Sequence, residues 1–454
     1  MSITTVNPAT GRRIRSHREH GAREVEAALA RAGKAFAAWR KRSFAERSRA
    51  LRSVAAVLRR RTAKLARLAT DEMGKPLAEA RSEVGKCRLV CEHYARHARA
   101  FLSDEFPPGS AKGTRVVFEP MGPVLAVMPW NFPYWQVFRA AAPALMAGNT
   151  MILKHAANVT GCAKAIERLF IEAGVPEGVF QALVIPTGRV AALVADPRVK
   201  AVTLTGSTQA GRIVASQAGA AMKKGVFELG GSDAYIVLSD ADIDRAAEVC
   251  ASSRLLNAGQ SCISAKRFIV VRKVAREFEE AFTARMAARR VGDPLDPATQ
   301  VGPLARADLR DQLHRQVRAS VRLGARVLIG GHPLPGPGFY YAPTVLSGVW
   351  KGMPAYGEEL FGPVAAVIRV GGEDEAIRVA NDSPFGLGAA VFTRSRRTAE
   401  RVAARLEVGT VFSNDFVRSD PSLPFGGVKL SGYGRELGSQ GIREFASAKS
   451  LWMA

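Results

Sequence analysis

Cysteine is scarce: Cys87, Cys91, Cys162, Cys250 and Cys262 are the only five in 454 residues. An odd, sparse set does not make a disulfide framework and points to a reducing compartment. Long apolar runs are also missing. The best candidate, Tyr134 to Met146, is too short to span a bilayer and carries Arg139, so no membrane partner is expected. The first residues, Met1 to Pro8, have no basic start followed by an apolar block. That excludes a signal-peptide reading and makes the cytoplasm the expected location. Acidic residues are in deficit, with 41 Asp and Glu against 65 Lys and Arg, for a net charge of +24. Such a charge raises nucleic-acid binding as a possibility. Aromatics are few, however, and no zinc-finger or RNA-motif pattern accompanies the charge. The basic residues recur along helix faces, as in Arg52, Arg59, Arg60 and Arg67, so no nucleic-acid partner is expected. The Gly-x-Gly-x-x-Gly dinucleotide signature is absent at the strand-to-helix turn near Gly206.

What is present is alternation. The chain is too long for one hydrophobic core, so two or three domains are expected. Arg23 to Trp39, Ala45 to Thr70 and Pro76 to Phe101 carry helical stripes. From Val124 to Met128 onward, short apolar strands alternate with helices: Met151 to Leu153, Gly161 to Ala173, Val179 to Ile185, Val199 to Leu204, then a helix from Thr208. A second alternating set follows Glu228, with strands at Tyr235 to Leu238, Arg267 to Val271, Val364 to Val370 and Gly388 to Phe392. The fold class is therefore α/β, with two parallel-sheet α/β domains binding ligands at their strand carboxyl ends.

Several residues stand where chemistry is possible. Cys262 follows Gly259-Gln260-Ser261, small residues that let backbone and substrate approach the sulfur; its local stretch reads equally as a core cysteine. Glu228, ahead of two glycines, is either a buried general base or a capping or ion-paired acid. Asn131, inside Pro129-Trp130-Asn131-Phe132-Pro133, is either an oxyanion donor or a turn residue. Lys154 ends a strand, within reach of a nucleotide or of solvent. Gly206 and Ser207 open a helix, where backbone N–H groups attract phosphate. Cys87, Cys91, His93 and His97 fall on one helix, but the two pairs are offset by two residues, so no metal site is expected.

In order along the chain, Pro129-Trp130-Asn131-Phe132-Pro133, Thr205-Gly206-Ser207, Glu228-Leu229-Gly230-Gly231, Gly259-Gln260-Ser261-Cys262, Glu359-Leu360-Phe361-Gly362-Pro363 and Pro424-Phe425-Gly426-Gly427 resemble the aldehyde dehydrogenase superfamily over essentially the full length. Lys154 to Val159 and Glu228 to Asp233 are most similar to its bacterial NADP-accepting succinate-semialdehyde branch. The resemblance implies that Cys262 attacks the aldehyde, that Asn131 and the Cys262 N–H hold the oxyanion, that hydride passes to the nicotinamide, and that Glu228 activates the hydrolytic water. It implies cofactor contacts at Trp130, Asn131, Lys154, His155, Ala156, Ala157, Gly206, Ser207, Leu229, Glu359 and Phe361. Ala157 stands where NAD-preferring relatives commonly have a glutamate, so NADP is expected over NAD, with NAD still accepted. Ser264 stands where some relatives carry a second cysteine, so no local disulfide switch is expected.

The implied substrate is succinate semialdehyde, with Trp135, Arg139, Ser261 and Ser419 at its pocket. Arg139 either binds the far carboxylate or serves in a structural ion pair. The implied division is 1–101 with 121–228 for cofactor binding, 229–430 for catalysis, and 102–120 with 431–454 as a small β oligomerisation element of a homodimer or homotetramer. Rival expectations are a dehydrogenase of another semialdehyde or an aliphatic aldehyde, and a cysteine hydrolase.

Overall fold

A computed structural model describes residues 2–453. Local signals in the sequence set the helix ends. The helix Phe44–Met73 starts at Ser43, whose hydroxyl accepts from the Glu46 N–H while the Glu46 carboxylate accepts from the Ser43 N–H. This reciprocal cap satisfies two otherwise orphaned donors. The helix ends at Gly74 in the left-handed region (φ 87°), as a C-terminal glycine allows. The next helix, Leu77–Phe101, packs antiparallel beside it. On that helix Cys87 and Cys91 are buried, whereas His93 lies against His97 with ring centres 4.8 Å apart and planes tilted by 41°.

Two sheets organise the rest. In the first, the strand order is Gly432–Tyr433, Lys224–Glu228, Ala201–Thr205, Pro123–Met128, Thr150–His155 and Phe180–Leu183. All neighbours are parallel except the short Gly432–Tyr433 edge. The chain enters this sheet at Pro123–Met128, runs outward on one side, then returns to add Ala201–Thr205 on the other. The strand order therefore reverses between Pro123–Met128 and Ala201–Thr205, which opens a crevice at their carboxyl ends.

The second sheet has the order Arg326–Ile329, Thr344–Ser347, Val364–Val370, Ala265–Val271, Asp233–Val237, Gly388–Phe392 and Thr410–Ser413. Only its Arg326–Ile329 edge is antiparallel. The central strands Asp233–Val237 and Ala265–Val271 are buried throughout; past Asp233, Lys266 and Arg267 they are apolar, as parallel strands covered on both faces are. The chain crosses from the first sheet to the second within four residues, between Glu228 and Asp233.

The apolar stretch around Arg139 is the helix Trp135–Ala147, in which every residue is buried. It packs under the first sheet among Tyr94, Ile166 and Phe170, with Phe138 stacked on Phe170. Truncating a ring such as Phe138 at such a place costs about 3–5 kcal/mol. Elsewhere, Arg115–Pro120 pairs with Ala446–Leu451 as a separate two-stranded ribbon. The N-terminal strands Ser2–Val6 and Arg13–Arg18 form another. No helix among the described residues is long and apolar enough to cross a membrane.

Candidate active site

The crevice at the reversal of strand order is a cleft of about 550 Å³. Pro129, Trp130 and Asn131 line it from the end of one strand, and Thr205, Gly206 and Ser207 from the end of the other. Leu229, Gly230, Cys262, Glu359 and Phe361 complete the wall. Most of the residues expected to meet a cofactor are thus brought to one place from five separate stretches.

Cys262 is carried on the loop between Gly259 and the strand Ala265–Val271. Asn257, Ala258 and Gly259 are all left-handed (φ 56°, 52° and 73°), a run that non-glycine residues adopt only under strong tertiary constraint. The constraint is visible. Asn257 donates its amide to the carbonyls of Asn131 (2.8 Å) and Gln260 (3.1 Å), and its backbone N–H donates to Glu79 Oε2 (2.9 Å). A Cβ at Gly259 would lie 2.2 Å from the Gly362 carbonyl oxygen, so this position must be glycine.

Two buried cations hold the far side of the loop. Arg254 donates to the Gly259 and Ala265 carbonyls. Lys266 donates to the carbonyls of Ser261 (2.9 Å) and Cys262 (2.8 Å) and lies 3.6 Å from Glu359. Burial pushes the Cys262 thiol up to about 12, with the Arg139 and Lys266 charges opposing the shift. The sulfur therefore rests as a thiol and gives up its proton only when something accepts it.

Asn131 is buried and donates its side-chain amide to the Gln260 carbonyl (3.1 Å). That bond uses one of the two amide N–H groups and fixes the side chain against the cysteine loop. Glu228 is buried and its carboxyl has no hydrogen-bond partner among the described residues. Burial first, and the neighbouring Glu436 second, hold its pKa well above the usual carboxylate range; Arg139 and Arg435 act against them. A Cβ on Gly426 would meet Glu228 Oε1 at 2.7 Å, so a glycine leaves room for the carboxyl group.

Lys154 is buried at the end of its strand and its ammonium reaches only the Thr187 hydroxyl, at 3.4 Å. Ala157, three residues on, opens a short 3-10 turn and adds no acid. Ser207 caps the helix Thr208–Ala220, accepting from the Ala210 N–H. A buried, uncompensated lysine at the end of one strand and a helix N-terminus at the end of another, on the same sheet edge, fit a phosphorylated dinucleotide. Lys154 and the Gly206–Ser207 turn would hold its phosphates, and Glu359 its ribose.

Two expected residues stand differently. His155 has both ring nitrogens engaged: Nε2 donates to the Pro133 carbonyl (2.8 Å), Nδ1 accepts from the Ala156 N–H (2.9 Å), and burial pushes its pKa down to about 4. Its side chain pins the Trp130–Asn131 turn to the strand end and is not free for a cofactor. Arg139 is buried and its guanidinium is paired with Glu436, donates to Thr205 Oγ1 (3.2 Å) and lies 4.8 Å over Phe425. The structural ion pair is therefore present, and Arg139 is not the free pocket cation expected from its spacing to Asn131. The contact is ionic rather than a well-aligned hydrogen bond, since Nε lacks hydrogen-bond geometry.

Trp135 and the helix that carries it are set by Glu83. The Glu83 carboxylate accepts from the Tyr134 and Trp135 N–H groups (2.8 and 2.9 Å) and is paired with buried Lys75. Ser419 accepts from Lys86 Nζ at 2.8 Å. Ser261 is buried beside the nucleophile. Glu436, Lys266, Arg254 and Lys86 were not singled out by the sequence. Only Lys86, between Gly85 and Cys87, carried a local signal, a charge among small or apolar neighbours.

The aldehyde dehydrogenase family pattern matches residues 1–451. The chain belongs to the aldehyde dehydrogenase family. It is 49% identical over 455 residues to a probable NADP(+) succinate-semialdehyde dehydrogenase of Synechocystis sp., covering all of both chains. It is 46% identical over 450 residues to an NAD(P)+ succinate semialdehyde dehydrogenase of Escherichia coli, covering 99% of this chain and 97% of the relative. The crystal structure of a succinic semialdehyde dehydrogenase from Streptococcus pyogenes in complex with NADP+ superimposes with a TM-score of 0.97 at 39% identity over 99% of each chain. In an aldehyde dehydrogenase the cysteine, the amide and the acid described above have an obvious common task, the oxidation of an aldehyde through a covalent enzyme intermediate.

Proposed function

We propose that this aldehyde dehydrogenase oxidises succinate semialdehyde to succinate, with NADP preferred over NAD. The observation that carries the reading is the position of Cys262. It lines the nucleotide-sized cleft on one side, and on the other its thiol senses the charge of Arg139. The full-length likeness to relatives named for this activity supports the substrate, and Ala157 beside the unpaired Lys154 supports the cofactor.

In this reading the thiol of Cys262 loses its proton as the aldehyde arrives, and the sulfur adds to the carbonyl carbon. That proton leaves to solvent water, and Glu228 is kept free for the second half of the reaction. The oxyanion is held by the Asn131 amide and the Cys262 N–H. Lys266 keeps the cysteine loop from recoiling. NADP, when bound, supplies the hydride acceptor. Glu228 then takes a proton from water that attacks the thioester, releasing the acid and the free thiol. Arg139 and Arg435 keep the Glu228–Glu436 pair from holding both protons permanently.

Trp135, Arg139, Ser261 and Ser419 form the pocket for the rest of the substrate, with the charge of Arg139 shared with Glu436. The test is steady-state kinetics with succinate semialdehyde, glutarate semialdehyde and butanal against both cofactors. The highest kcat/KM is expected for succinate semialdehyde with NADP. A higher value with butanal or with NAD would contradict the corresponding half of the reading. The ribbon of Arg115–Pro120 and Ala446–Leu451, ending in the exposed Trp452 and Met453, suits strand addition to a partner's sheet. A homodimer or homotetramer in light scattering is the expected result.

A further inference from the structure

Lys86 lies on the helix Leu77–Phe101, half-buried, and its neighbours do not neutralise it. Its ammonium donates to the Ser419 hydroxyl at 2.8 Å and sits 4.3 Å from the centre of the Trp135 ring. Among the described residues no carboxylate forms an ion pair with it. The acid that senses its charge, Asp420, is itself occupied by the N–H and hydroxyl of Ser422. Arg139 and Arg418 add further positive charge around it. A cation withdrawn from water, repelled by two guanidinium groups and held only by a hydroxyl and an aromatic face, lacks its counter-ion. Both of its contacts, Trp135 and Ser419, belong to the pocket assigned above to the substrate.

We infer that Lys86 is the residue that recognises the distal carboxylate of the substrate, with Ser419 beside it and Trp135 as the wall. The inference rests on the semialdehyde reading and goes beyond it, because it moves the recognition charge from Arg139 to Lys86. Arg139 already has an acid of its own in Glu436. Lys86 has two N–H groups left after Ser419, which match the two oxygens of one carboxylate. A substrate with an uncharged tail would leave the ammonium without a counter-ion, so the same residue selects against it.

The experiment compares the full-length wild type with Lys86→Met and Lys86→Arg, using succinate semialdehyde and butanal with saturating NADP. In Lys86→Met the ratio of kcat/KM for the semialdehyde to that for butanal is expected to fall about fiftyfold, mainly through the semialdehyde KM. Lys86→Arg is expected to recover most of the ratio. An unchanged ratio in Lys86→Met overturns the inference. A wild-type ratio near one instead removes the semialdehyde reading itself.

A second readout needs no variant. Burial, with Arg139 next, lowers the Lys86 ammonium to about 8; Cys87 and Asp420 oppose the shift and Arg418 adds to it. The charged form is present below that pH and lost above it. The KM for the semialdehyde should therefore climb above about pH 8 while that for butanal stays level. Parallel KM profiles for the two aldehydes overturn the inference.

Discussion

The two sides of Cys262 are built from different materials. On the cofactor side much of the wall is glycine and short motifs, with Trp130–Asn131, Gly206–Ser207 and Leu229–Gly230 around the crevice and Arg306, Gln316, Glu358 and Glu359 also lining it. On the substrate side the wall is charged side chains that meet only through the fold. Lys86, Arg139, Ser419 and Glu436 come from two helices and two loops spread over 350 residues. A backbone cradle tolerates many side chains and keeps the nucleotide fixed. A charged pocket is set by which cation has an acid already and which has none. The difference explains how one scaffold can hold its cofactor constant while its substrate varies.

The largest expected effect lies on the seam itself. Cys262→Ser should lower kcat with either aldehyde by at least about ten-thousandfold while leaving NADP binding, followed by fluorescence quenching, intact. Loss of NADP binding would mean that the two sides are not separable. Next comes Glu228→Gln, with turnover expected to fall about a thousandfold. One equivalent of NADPH should still form in a burst, because the acid is needed for every turnover of the thioester. The pH profile sharpens this. The Glu228 carboxyl is raised above the usual range, so it is protonated and inactive as a base at low pH. Wild-type kcat is expected to rise with pH above the range where an ordinary carboxylate titrates, and that limb should vanish in the variant.

Arg139→Met is the substitution that can break the comparison. It strips Glu436 of its counter-charge in a buried site, so stability should fall by about 3 kcal/mol in urea unfolding. Turnover should drop about a hundredfold with the semialdehyde and with butanal alike. A loss confined to the semialdehyde would return the recognition charge to Arg139. The smallest effect is on the cofactor side. Ala157→Glu places an acid near Lys154 and is expected to lower the NADP-to-NAD ratio of kcat/KM about tenfold, read in parallel assays. No change would mean that the 2′-phosphate lies elsewhere.

The same contrast governs what could be read in advance. The cofactor side was legible because each contributor sits in a contiguous motif at a strand end, where α/β topology places ligands. Both sheets and most of their strands followed from alternating apolar runs, but Lys224–Glu228, Gly432–Tyr433, Arg326–Ile329 and Thr344–Ser347 did not. Outside both sheets, Arg13–Arg18 was also not legible, because this charged, largely exposed strand has no apolar face to announce it. The substrate side was legible only in part. The eight-residue spacing brings Arg139 near Asn131's loop, but spacing along a helix does not show that Glu436, nearly three hundred residues later, reaches it first. Lys86 sits one residue before the buried Cys87 on a long helix, and only the tertiary fold reveals that its ammonium meets Trp135 and Ser419. The role expected of the His155 side chain failed for a related reason. A motif gives the neighbours of a residue in sequence but not the distant carbonyl that claims its ring.

In the proposed reaction Cys262 joins the two sides through a covalent acyl intermediate. Its most direct test is intact-protein and peptide mass spectrometry of Glu228→Gln, quenched after mixing with NADP and succinate semialdehyde. The prediction is one succinyl group on Cys262 for each NADPH formed. NADPH formation with no adduct, or with the adduct on another residue, would contradict it.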